Sequence, residues 1–349
     1  MTKLRWGILG TAHIARKNWR GIWHSGNATV TAVASRAAAR SQEFVNECQR
    51  EKPFDHVPVA LGSYEELIES PDVDAIYFPI PTGLRKEWVV RAANAGKHVL
   101  CEKPCAGTVA DLREMLEACA ANRVQFMDGV MFMHNPRLDR VRRALADETA
   151  FGKLKRVTSH FSFLAPEEFN RANIRGDATL EPLGCLGDLG WYNIRFTLWA
   201  LNWQMPREVT ARILSCGPRT KTGNSGPFEF SGEMLFADGV SASFYCSFLT
   251  AYGNWVVATG TQGDLRVPDF ALPKTSSEGA LEINGVLTDD RKLDPATTQE
   301  ANMIRAFSAK AISGKLNTGW PEWSLKTQIV ANACLDSARS GRPVVPASC

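Results

Sequence analysis

The chain has 349 residues, of which 44% are hydrophobic and 22% charged, and its formal net charge is +3. That length suits two domains with real cores, and so small a charge argues against nucleic acid or a membrane surface as partner. No apolar run reaches the roughly 18 residues of a spanning helix. The first strand begins within a few residues of Met1, which is expected to leave no room for a signal peptide.

Leu4 to Leu9 (LRWGIL) reads as a strand, and GTAHIA, Gly10 to Ala15, follows at once. This matches the dinucleotide fingerprint G-x-G-x-x-G/A between a strand and a helix, with Gly10, Ala12 and Ala15 at its three positions. Ala12 departs from it, because the second position is normally glycine so that backbone can approach a pyrophosphate. Thr29 to Ser35 is the next strand and Ala37 to Glu51 a helix. A short strand, Val57 to Leu61, leads to SYEE, a capping box at Ser63 to Glu66. Val73 to Ile80 is an apolar strand, after which Thr82 is expected to cap a helix that Gly96 ends. KHVLCEKP, Lys97 to Pro104, is a strand stopped by a proline that cannot donate to a ladder. A helix capped by Thr108 and a strand from Val124 to Met127 complete the series. Strands alternating with helices imply a parallel sheet covered on both faces. With the fingerprint, this makes residues 1–127 a Rossmann domain.

Two features sit at strand ends. Lys103 falls at a carboxyl end, where open α/β sheets bind ligands, and is a candidate proton shuttle. The second strand ends in Ser35 and Arg36, with Arg40 one helical turn on and no carboxylate before Glu43. A hydroxyl and guanidinium groups suit a ribose 2′-phosphate, which an acid would repel. NADP is therefore expected over NAD.

From residue 128 the pattern changes, and 128–349 is read as a second, α+β domain. MHNPRLDRVRRAL is a helix with Asn135 at its N-cap and Pro136 in its first turn. Leu154 to Phe163 is a strand. Gly184 to Asn202 is a helix with Asp188 and Tyr192 spaced i, i+4 on one face and glycines that would let a flat ligand approach. Three hairpins follow, turning at Asp238-Gly239, Gln262-Gly263 and Asn284-Gly285. They imply a mostly antiparallel open sheet with helices on one face. The helices Ala301 to Ser313 and Glu322 to Arg339 are expected to pack back on the body. Gly217 to Pro227 is the most loop-like segment.

Nine scattered cysteines with no C-x-x-C pair read as reduced thiols of a cytoplasmic protein. Cys101 and Cys105 read as packing residues. The six histidines all fall before residue 161 without paired ligand spacing, so no metal is expected. An open sheet face needs covering, so a homodimer or higher homo-oligomer is the expectation.

EKP at a Rossmann strand end, followed by G-x-L-x-D-x-G-x-Y on a helix of a sheet domain, resembles the glucose–fructose oxidoreductase and inositol dehydrogenase (Gfo/Idh/MocA) family. The resemblance spans nearly the whole chain. GTQGDLRVPDFALP, Gly260 to Pro273, and WPEWSLKTQ, Trp320 to Gln328, look like its dihydrodiol dehydrogenase-like branch, where Ala12 is also seen. The resemblance implies a nicotinamide cofactor and hydride transfer at a secondary alcohol or ketone of a sugar, polyol or cyclic dihydrodiol. Lys103, Asp188 and Tyr192 match the family's catalytic positions, Lys103 and Tyr192 coming from different domains. The expected cofactor-binding set is Gly10, Thr11, Ala12, His13, Ile14, Ser35, Arg36, Arg40, Pro79, Pro81, Glu102 and Lys103. One departure stands out: the family often reads P-x-x-L-H after the fourth strand, whereas this chain reads PTGLR, with Arg85 in the histidine's place. Asn173, Arg175, Phe163, Trp191 and Trp255 are candidate substrate contacts. Two other readings stay open, glycoside cleavage with a retained nicotinamide and a non-catalytic dinucleotide-binding regulator.

Overall fold

Apolar runs of three to seven residues build the strands of the N-terminal half, β1 (Leu4–Leu9), β2 (Ala28–Ala34), β3 (Val59–Leu61), β4 (Ala75–Phe78), β5 (His98–Cys101) and β6 (Phe126–Asp128). They alternate with α1 (His13–Ser25), α2 (Ala38–Glu51), α3 (Tyr64–Glu69), α4 (Thr82–Asn94) and α5 (Val109–Ala121). In this computed structural model the strands form one parallel sheet in the order β3-β2-β1-β4-β5-β6. Every residue of β4 is buried, as a strand covered on both faces requires. The structure describes residues 2–167, 177–218, 225–273, 279–289 and 294–348. Asn173, Arg175 and residues 219–224 of the loop-like segment lie outside the described residues.

Register sets the geometry of the sheet's carboxyl edge. Leu9 pairs with Ala34, Ile8 with Tyr77 and Phe78 with Cys101. The residues that follow, Gly10, Ser35, Pro79 and Glu102, therefore leave the sheet along one edge. Strand order reverses between β1 and β4, the switch point where such sheets open a ligand crevice. Ser63 caps α3 as expected, accepting from the Glu66 amide at 3.2 Å. Thr82 does not cap α4: Pro81 holds that position in extended geometry (φ −54°, ψ 143°), and the helix begins at Thr82 itself. A proline with its φ already set makes the turn that a threonine side chain was expected to make.

The second half forms α6 (Arg137–Leu145), β7 (Leu154–Ser162), α7 (Trp191–Ala200), β8 (Glu208–Cys216), β9 (Pro227–Leu235), β10 (Ser241–Ser247), β11 (Gly253–Gly260), β12 (Asp264–Pro268), β13 (Ala280–Ile283) and β14 (Val286–Asp289). Its sheet has eight strands in the order β14-β13-β12-β11-β7-β10-β9-β8. Only β7 and β10 run parallel, so the sheet is mostly antiparallel, as expected. The turns at Asp238 and Asn284 have φ of 57° and 49°, the left-handed geometry that joins tight hairpins. The edge strand β8 was not anticipated. Its alternation is half-masked, with Val209 and Ala211 buried but Leu214 52% exposed.

The chain then forms α8 (Gln299–Ser313) and α9 (Gly319–Ser340). Two units result: Met1–Ala106, Ala110–His134 and Asp294–Ser324 in the first, Gly107–Val109, Asn135–Leu293 and Leu325–Cys349 in the second. The sequence boundary at 127/128 grouped α8 with the second half, whereas α8 lies in the first unit. Its Met303, Ile304 and Phe307 share a core with Trp6, Trp19 and Ile22. The Trp6 and Phe307 rings lie 5.0 Å apart, and the Trp6 indole donates to Ser308 Oγ at 3.3 Å. Among the described residues, no helix is long and apolar enough to cross a membrane.

Candidate functional site

The first unit's site is built at the carboxyl edge of its sheet. Gly10 has φ +113°, and a Cβ there would stand 2.9 Å from Ile80 Cγ2, so only glycine fits between β1 and the turn after β4. Ala12 is extended (φ −62°, ψ 157°), so it needs no glycine freedom, and it starts α1 without any side-chain cap. No acid lies in the first turn of α1. The helix thus presents uncapped N–H groups and the positive end of its dipole, which suits a pyrophosphate. Thr11, Ala12, His13 and Ile14 are exposed or half-buried along this turn.

Ser35 behaves differently from expectation. It is 5% exposed and its hydroxyl is engaged locally, donating to the Ala37 carbonyl at 2.7 Å and accepting from the Ser41 hydroxyl at 3.0 Å. It shapes the turn into α2. Arg36 and Arg40 are both exposed. Both lie near Tyr64, whose phenol is pushed up by burial and drawn down by the two cations.

Behind the edge is a buried polar chain. Asn18 Nδ2 donates to the Tyr77 hydroxyl at 2.7 Å, and that hydroxyl donates to Glu102 Oε1 at 2.5 Å. The second carboxylate oxygen accepts from the Lys103 amide at 3.3 Å. Burial raises the Glu102 carboxyl above the usual range, opposed by the Tyr77 hydrogen bond and by attraction to Lys103 and Arg85. Burial, with the Glu102 charge beside it, likewise holds the Tyr77 phenol well above its ordinary value. A Cβ on Gly129 would sit 3.1 Å from Glu102 Oε1, so the Gly129 backbone packs closely on the carboxylate. Lys103 follows as a half-buried residue. Glu102 is therefore a buried support beneath Lys103. Tyr77 and Asn18 were missed as site residues, although a tyrosine in a fully buried parallel strand signals a partner for its hydroxyl.

Arg85 is 5% exposed. Its Nε donates to the Ile80 carbonyl at 2.7 Å, and Nη1 donates to the Glu102 carbonyl at 2.9 Å and to the Pro104 carbonyl. Cys101 and Cys105 are both fully buried, with the Cys101 thiol directed at backbone carbonyls 3.5 and 3.8 Å away.

In the second unit, Asp188 lies in a π-helical turn, Leu186–Gly190, that runs into α7. Such turns recur at functional sites. Asp188 is half-buried, while Tyr192 is 5% exposed with its ring edge-on to Phe161 at 5.6 Å. Gly184 and Gly190 leave no space where a side chain would stand. A Cβ on Gly190 would meet Leu186, Cys246 and Phe244, and one on Gly184 would stand 2.3 Å from the Pro227 carbonyl oxygen. They let the helix pack closely on β9 and β10. Trp191 is fully buried and Trp255 half-buried, its ring stacked 5.5 Å from His160. Phe163 packs on Phe248 at 5.3 Å. Among the described residues, no group of three or more His, Cys, Asp or Glu is arranged to hold a metal.

The chain matches two family models, the oxidoreductase family with NAD-binding Rossmann fold over residues 4–130 and the GFO/IDH/MocA C-terminal domain over 140–266. It is 29% identical to D-xylose 1-dehydrogenase (NADP(+)) 2 of Haloferax volcanii, across 98% of this chain and 99% of that one. It is 30% identical to trans-1,2-dihydrobenzene-1,2-diol dehydrogenase of Bos taurus, across 91% and 90%. Among solved structures it resembles KijD10, a 3-ketoreductase from Actinomadura kijaniata in complex with NADP and TDP-benzene, with a TM-score of 0.81, 25% identity, and coverage of 96% and 98%. The two family matches and the near full-length likeness to the bovine protein lead to one conclusion: this chain belongs to the Gfo/Idh/MocA family of oxidoreductases.

Proposed function

We propose that the protein is an NADP-dependent oxidoreductase acting on a secondary alcohol or ketone of a sugar, polyol or cyclic dihydrodiol. The observation that carries this reading is the row at the carboxyl edge of the first sheet. The Gly10 turn and the uncapped start of α1 leave β1, and the amine-bearing turn at Lys103 leaves β5, with β4 between them in the sheet. Relatives named for NADP and for xylose or dihydrobenzenediol chemistry support the cofactor and the substrate class. Arg36 just beyond β2 and Arg40 in the first turn of α2, both exposed, suit a 2′-phosphate. When bound, the nicotinamide supplies the hydride donor or acceptor.

The chain's own task is to hold the cofactor and move a proton at the reacting hydroxyl. Lys103 Nζ is assigned that proton, with Glu102 held beneath it by Tyr77. Within the second unit, Tyr192 is assigned to proton transfer and Asp188 to substrate orientation. A reducing, cytoplasmic setting suits the thiols of Cys185 and Cys246, whose sulfurs lie 3.9 Å apart unbonded. A homo-oligomer would cover the open sheet face that carries His160, Tyr245 and Trp255.

The test is NADP⁺ reduction against pentoses, hexoses, inositols and aromatic dihydrodiols, with the corresponding ketones run in reverse. Saturable, substrate-dependent absorbance change is the expected result. Release of a free sugar without net NADPH change would favour glycoside cleavage instead. No turnover with any substrate, together with retained NADPH binding, would favour a regulator.

A further inference from the structure

We infer that Arg85 is a positioning residue that locks the Lys103 turn to the turn lining the expected cofactor site, through three backbone carbonyls. This inference rests on the role proposed above for Lys103. The guanidinium is buried and spends its hydrogen bonds on main chain. Ile80 belongs to the turn leaving β4, while Glu102 and Pro104 bracket Lys103 on the turn leaving β5. β4 and β5 are neighbours in register, Phe78 against Cys101. One planar fork thus joins two adjacent loops and fixes the backbone on both sides of the amine.

The chemistry suits arginine. Carbonyls at the end of a sheet have no ladder partner, and burying them unsatisfied costs free energy. A guanidinium offers several donors in a rigid plane, whereas a lysine ammonium is a compact point charge on a flexible stem. Gly10 fits against Ile80 with no room for a Cβ, so the segment that Arg85 grips also abuts the fingerprint turn. Arg85 therefore ties the setting of the proton-transfer group to that of the cofactor cradle.

The test compares full-length wild type with Arg85→Gln and Arg85→Lys. Turnover, KM, NADPH dissociation constant and melting temperature are measured for each. Lys103 acylation by an amine-reactive ester is followed by peptide mass spectrometry, with Lys97 as internal reference. Lys97 lies at the opposite end of β5, its amine on the Ser70 and Val73 carbonyls. In Arg85→Gln we expect turnover to fall about tenfold or more with KM changed less than about threefold. The Lys103 acylation rate should change by at least about threefold while that of Lys97 holds, and Arg85→Lys should recover part of both effects. The inference is overturned if folded Arg85→Gln keeps wild-type turnover and Lys103 acylation, or if both lysines change together in step with lost stability. Should Arg85→Gln fail to fold, Arg85→Lys decides by the same two readouts. Should wild type turn over no substrate, the proposed function fails, while the acylation comparison still judges the role of Arg85.

Discussion

The hydroxyl of Tyr77, in the middle of the first sheet, donates to the carboxylate of Glu102 at 2.5 Å, immediately before Lys103. It orders a buried carboxylate, and through it the backbone amide of Lys103. The support beneath the proposed proton-transfer group is therefore part of the core, and it titrates with the core.

That coupling has a sign. The Glu102 carboxyl lies above its ordinary value in the folded protein, chiefly because burial penalises the charge. The native state then holds this proton more tightly than the unfolded chain. Its contribution to stability is complete below the unfolded carboxyl value and is lost as pH rises through the folded one. Glu102→Gln should remove that loss, so the variant gains on wild type as pH rises across this window. Urea midpoints taken from about pH 4 to pH 8 measure it; parallel curves would contradict it. Tyr77→Phe should make the dependence steeper by removing the carboxylate's donor.

Lys103→Met should lower turnover on the order of 10²- to 10⁴-fold. NADPH binding should change far less than turnover, because the cradle at Gly10 and α1 is untouched. Steady-state kinetics and a fluorescence titration check the pair of values. Wild-type turnover in this variant would refute the proton role.

Arg36→Ala combined with Arg40→Ala should weaken NADPH binding by about ten- to a hundredfold, the range for lost charge-assisted hydrogen bonds. NADH binding should be almost unchanged, and the NADPH preference should shrink with added salt. Equal losses for the two cofactors, or a tenfold wild-type preference for NADH, would remove these arginines from 2′-phosphate recognition.

Gly184→Ala should destabilise the second unit by about 1–3 kcal/mol. The residue has φ +50°, and its new Cβ would stand 2.3 Å from the Pro227 carbonyl oxygen. Because Gly184 leads into the turn carrying Asp188, turnover should fall in the fraction that remains folded. Thermal melts and activity per folded molecule separate the two effects; an unchanged melting temperature would show that the packing yields.

The alternation of strands and helices, the Gly10 turn and the two left-handed hairpin residues were legible because each depends on neighbours a few positions away. A sheet covered on both faces needs continuous apolar runs, and a tight turn needs a residue that tolerates positive φ. That Asp188 and Tyr192 lie on one helical segment was legible for the same reason, but the π-helical turn holding Asp188 was not. Nor was the purpose of Gly184 and Gly190, which serve packing against β9 and β10. Strand β8 escaped because an edge strand is half-solvated and its alternation weak.

From the sequence alone came the parallel sheet, the carboxyl-edge position of Lys103 and the cationic end of β2, since these are local patterns read along the backbone. Only the tertiary structure decided that α8 joins the first unit's core, that Ser35 shapes its own turn, and that Tyr77 and Arg85 brace the residues around Lys103. Those partners are separated by many residues, and burial selects them: a buried hydroxyl, carboxylate or carbonyl must find whichever donor or acceptor the folded chain brings within reach.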